Sequence, residues 1–90
     1  MHDPAIEEIL KRIENYDGSE EGFKAILADL LKLIPERPAL KDFRKELARR
    51  CGPVAVSTVD AWARPGPTCP GPNVRRFVLG EASDILNGRP

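Results

Sequence analysis

Apolar positions along this chain recur at helical rather than alternating spacing. Ile6, Ile9, Leu10 and Ile13 form one stripe in a segment predicted to run from Pro4 to Tyr16, with Asp3 as N-cap and Pro4 at the first helical position. Asp17-Gly18-Ser19 ends that segment. Phe23, Ile26, Leu27, Leu30, Leu31 and Ile34 repeat as a wide apolar face and predict a second helix from Glu20 to Ile34, stopped by Pro35. A third helix from Ala39 to Cys51 gathers Leu40, Phe43, Leu47, Ala48 and Cys51 on one side, with Gly52 suited to its carboxyl cap. A brief segment from Ala55 to Arg64 follows, and then the Pro/Gly-rich stretch 65–72, which no regular element tolerates. The last helix is expected from Asn73 to Leu86, presenting Val74, Phe77, Val78, Ala82, Ile85 and Leu86, and closed by Asn87-Gly88. No convincing period-two run occurs, so the fold class expected is all-α: one domain over 1–90, built as a five-helix bundle.

Size sharpens that expectation. A chain of 90 residues can bury only about 60–65% of its unfolded surface, so most apolar side chains are needed for the core and few are spare for a ligand cavity. Formal net charge is zero, but residues 1–36 carry 4 Lys/Arg against 9 Asp/Glu, and residues 37–90 carry 10 against 5. The domain is therefore an acidic helical hairpin followed by a basic half, an asymmetry that suits a polyanionic partner and equally suits two helix faces that dock on each other.

Chemistry is scarce. His2 is the only histidine, and Cys51 and Cys69 lie in no Cys-x-x-Cys, so neither a zinc site nor a cofactor is expected. Adjacent carboxylates such as Glu7-Glu8 and Glu20-Glu21 point apart on a helix and read as solvated surface. No phosphate-cradling glycine loop or His-Glu-x-x-His occurs, so the chain is not expected to be an enzyme. The acidic amino end lacks the form of a secretion signal and no apolar run reaches membrane-spanning length, so a cytoplasmic protein with no membrane partner is expected.

The informative stretch is 43–64. Glu46-Leu47-Ala48, Gly52 four residues after Ala48, Val54, and Ser57-Thr58-Val59-x-x-Trp62 resemble the helix-turn-helix of the phage-repressor-like (Cro-type, XRE-type) DNA-binding families. The trailing Ala63-Arg64, the Pro/Gly loop and the further amphipathic helix extend the resemblance over about residues 40–86. It implies a λ-repressor-like fold carrying an extra amino-terminal helix, and a small bacterial or phage-type transcriptional regulator that binds double-stranded DNA with full or partial sequence specificity. The residue types also have physical reasons: Ala48 lets two helices cross closely, Gly52 at positive φ would reverse the chain, and Val54, Val59 and Trp62 would fill the angle.

The span from Gly52 to Val59 is one residue longer than the family pattern. Either Ala55 stands at the amino end of the second helix without a side-chain cap, or Ser57 caps a shorter helix and pairs with Asp60. On the outward face, Val56, Ser57, Thr58, Asp60, Ala61 and Arg64 are the groove candidates, of which Arg64 alone is a strong base reader; Val56 and Ala61 suit thymine methyls and Asp60 a cytosine amine. Asp60 needs a neighbouring Arg to sit near phosphates. Arg44, Lys45, Arg75 and Arg76 are the leading phosphate candidates, with Arg49 and Arg50 in reserve and Asn73 as cap of the last helix. The rival reading is a protein-interaction module on the same scaffold that does not bind DNA. The Ile6-Ile9-Leu10-Ile13 stripe must be covered by the domain itself or by a second subunit, the latter giving a homodimer through the first helix.

Overall fold

The computed structural model describes residues 3–89, and His2 lies outside them. It contains five α-helices and, among the described residues, no strand: α1 (Pro4–Glu14), α2 (Glu20–Leu33), α3 (Phe43–Arg50), α4 (Val56–Ala63) and α5 (Pro72–Leu86), with two 3-10 turns, Ile34–Glu36 and Pro38–Leu40, between α2 and α3.

The acidic hairpin forms as the pattern requires. Asp3 caps α1, its Oδ1 accepting from Ala5 N at 3.1 Å and Ile6 N at 3.4 Å. Its other oxygen accepts from Arg37 Nε at 2.6 Å, which ties the start of α1 to the linker after α2 and holds the carboxyl below its ordinary range. Gly18 turns the chain at φ +90°, a conformation that disfavours any side chain. Ser19 then caps α2 by accepting from Gly22 N at 2.9 Å.

Helix α2 is the central post. It packs against α1, α4 and α5, and its Phe23, Ile26, Leu27 and Leu30 are buried. The α1 stripe is covered from within: Ile9 is buried, Ile6 and Ile13 pack on the same core, and α1 lies against α2 and α5. Of the two ways to cover this stripe, the chain's own helices thus take up Ile6, Ile9 and Ile13, while Leu10 stays partly exposed.

Helix α3 starts at Phe43, not Ala39. Pro35 and Pro38 lack amide hydrogens, so the chain makes two 3-10 turns and buries Leu40 before α3 begins. At its other end Gly52 does not adopt positive φ. The Gly52–Pro53 peptide is cis, and Val54 N donates to Ala48 C=O at 3.0 Å to close the reversal. Helix α4 begins at Val56 after an extended Ala55 with no side-chain cap, so Ser57 is inside the helix rather than its cap. Val59 and Trp62 are buried, the indole meeting the Phe23 ring edge-on at 6.2 Å between centroids.

The inner side of α5 is Arg75, Val78, Leu79 and Ala82. Val74 and Phe77, expected to face the core, are exposed, because burial of Arg75 turns the helix by part of a turn. Gly71 stands at its amino end, so Asn73 is not the cap; Asn87 and Gly88, at φ +73°, close it as expected. No helix is long and apolar enough to cross a membrane, and no cluster of possible metal ligands occurs among the described residues. Both cysteines are free and half-buried, and burial, reinforced by the nearby Glu81 charge, pushes the Cys51 thiol up to about 11.

Candidate nucleic-acid interface

Helix α4 rests on α2 and α3 through Val59 and Trp62, which lie one turn apart on one side. Its other side is not covered by the fold. Ser57 and Arg64 are exposed, and Val56, Thr58, Asp60 and Ala61 are partly so. Of the six sequence-selected groove residues, Ser57, Asp60, Ala61 and Arg64 fall on the open side, whereas Val56 packs on the core and Thr58 flanks Trp62 one turn away.

Charge on this face is arranged in pairs. Arg44 Nη1 donates to Asp60 Oδ1 at 3.1 Å, bridging α3 and α4 and neutralising the one carboxylate on the outward side of α4. The need for a compensating arginine beside Asp60 is met, at the cost of engaging Arg44. Lys41, Lys45 and Arg64 are exposed and form no ion pair among the described residues. Arg49 and Arg50 both donate to Glu46, whose carboxyl is held down at about 2 first by Arg49 and then by Arg50. Arg50 also lies 3.5 Å from Glu81 and donates to Arg89 C=O at 2.7 Å, so it fastens α3 to α5 rather than facing outward.

The two arginines that open α5 separate. Arg76 is exposed, its guanidinium 5.4 Å from the centre of the Tyr16 ring. Arg75 is buried: Nη1 donates to Pro70 C=O and Nη2 to Gly18 C=O, each at 2.9 Å, with Glu20 at 3.8 Å. A phosphate role for Arg75 is corrected on that ground, since its donors already pin the Pro-rich loop and the α1–α2 turn against α5. Only Nε, enclosed and without a partner, is left over.

One residue that sequence reasoning missed is central here. Lys24 Nζ, reaching from α2, donates to the carbonyls of Trp62 at 3.1 Å, Arg64 at 2.9 Å and Thr68 at 2.5 Å. It caps the carboxyl end of α4 and holds the start of the Pro-rich loop, fixing where the Arg64 side chain leaves the surface. Backbone acceptors about forty residues away leave no trace in the pattern of side chains, so no sequence signal marks Lys24. Comparison with protein-family models, with curated proteins and with solved structures gives no match.

Proposed function

We propose that this protein binds duplex DNA through a helix-turn-helix formed by α3 and α4, as a small transcriptional regulator. One observation carries the reading: α4 is wedged by Val59 and Trp62 on one side and uncovered on the other, with Ser57, Ala61 and Arg64 outward and the Asp60 charge already paired. A short helix held this way fits a major groove, and its amino end, free of any side-chain cap, leaves backbone N–H groups for a phosphate. Lys41, Lys45 and Arg64 supply positive charge on α3, its approach and the end of α4, exposed Arg76 adds to it from the start of α5, and Arg44 is able to share its guanidinium between Asp60 and a phosphate oxygen. Short side chains dominate the groove face, so Arg64 carries most of the base discrimination and DNA shape the remainder.

The test is fluorescence anisotropy with a labelled random duplex at low and moderate salt. Binding that weakens steeply with salt is expected, and no binding at low salt overturns the reading. In that case the protein-interaction alternative gains, for which the exposed Val74 and Phe77 are the favouring observation.

A further inference from the structure

Helix α4 has only eight residues, and Pro65, two positions past its end, has no amide hydrogen with which to prolong it. The last carbonyls of a short helix lack partners inside it, and such an end frays unless another group takes them up. Lys24 takes them up from α2. Its Nζ donates to Trp62 C=O at 3.1 Å, Arg64 C=O at 2.9 Å and Thr68 C=O at 2.5 Å, so every hydrogen of the ammonium is committed to the backbone and none is left for a phosphate.

Arg64 is thereby held on both sides of its Cα. Its N–H donates to Ala61 C=O at 3.2 Å, and its C=O accepts from Lys24. The side chain, by contrast, is exposed and forms no ion pair among the described residues. A fixed backbone under a free guanidinium matters differently for the two kinds of DNA contact. A bidentate contact with a base edge demands placement within about 0.5 Å and ~10–20°, whereas attraction to a phosphate tolerates a mobile charge. Loosening the backbone at Arg64 therefore costs discrimination between bases before it costs general attraction to the duplex.

We infer that Lys24 is a positioning residue for base reading: it touches no nucleic acid, and it sets how well Arg64 tells a guanine from other bases by fixing the carboxyl end of α4. This rests on the DNA-binding reading above. Guanine is the base concerned because its O6 and N7 match the two parallel donors of a guanidinium. The acidic hairpin thus has a part in recognition without facing the duplex, since α2 supplies the group that holds the reader in place.

Selection from a random duplex library with the full chain, followed by anisotropy on the preferred duplex and on a copy with the selected guanine replaced by adenine, tests it. The wild-type ratio of dissociation constants is expected at about 5- to 150-fold, the range of one bidentate contact. Lys24→Met and Arg64→Ala should each bring the ratio close to one, and the double variant should go no lower than Arg64→Ala, because both act through a single contact. Lys24→Arg, which keeps a cation with several donors at that place, should recover most of it. The salt slope of Lys24→Met should match wild type, whereas a phosphate contact by Lys24 would reduce it by about 0.9 and overturn the assignment. Without DNA, ¹⁵N relaxation of Lys24→Met should show the Arg64, Gly66 and Thr68 amides falling below an order parameter of about 0.6 while helical circular dichroism is kept. Unchanged order there, a ratio that survives in Lys24→Met, or a wild-type chain that binds duplexes without preference overturns the role of Lys24 and leaves DNA binding standing. No binding to any duplex at low salt overturns both.

Discussion

Replacing Trp62 by Ala should remove much of the stability of this domain. The indole is 7% exposed and meets Phe23 edge-on at 6.2 Å, between α4 and the central post α2. Truncating a buried aromatic of this size typically costs about 3–5 kcal/mol, from lost transfer energy and the cavity left behind. The edge-on pair itself contributes roughly 0.5–1.5 kcal/mol of such a loss. A chain of 90 residues has a total stability on the order of 5–13 kcal/mol, so between a quarter and nearly all of it is at stake. Each kcal/mol corresponds to about 4–8 °C at this size, which puts the expected fall in midpoint at roughly 12–40 °C. Far-ultraviolet circular dichroism is the suitable readout, because the substitution removes the chain's single tryptophan and with it the fluorescence signal. Trp62→Phe, which keeps a ring against Phe23, should fall well short of that loss. A Trp62→Ala midpoint within a few degrees of wild type would refute the reasoning, since it would mean that the indole does not hold α4 to α2.

Three further outcomes follow from contacts around α4 and α5. Lys24→Met should accelerate amide exchange across 64–69 in hydrogen-exchange mass spectrometry while leaving α2 protected; unchanged exchange would show that the ammonium does not hold that segment. Arg76→Ala should reduce the slope of log affinity against log salt by about 0.9 with little change in melting, whereas Arg75→Ala should lower the melting point, and salt titration beside thermal melts separates the two. The Glu46 carboxyl is depressed from 4.5 to about 2, so its contribution is present above pH 4.5 and lost as pH falls toward 2; Glu46→Gln should flatten stability over that window in acid urea titrations.

The helix pattern was legible because it rests on local periodicity. Asp3 and Asn87-Gly88 are local punctuation and act where the sequence places them, while Ser19, read as part of the stop after the first helix, also caps the second. What escaped depends on contacts between distant segments. The inner side of α5 could be drawn through Val74 and Phe77 or through Arg75, and the second holds because Pro70 and Gly18 offer carbonyls to its guanidinium. Gly52 suggested a left-handed reversal, but the following proline changes the backbone options at that point. For the candidate interface, helical spacing against Val59 and Trp62 is enough to put Ser57, Asp60 and Ala61 on the other side of α4. Pairing of Arg44 with Asp60, and diversion of Arg49 and Arg50 to Glu46, depend on how α3 sits on its neighbours.

The place of α2 also bears on how divisible the molecule is. Because α1, α4 and α5 all lean on it, the acidic first third and the basic remainder share a single interior rather than owning one each. Cleaved in the linker between Ile34 and Asp42, the chain would yield two oppositely charged pieces, neither with a finished interior, and each would be the other's natural complement. Halves that look separable by composition share, in three dimensions, one apolar interior.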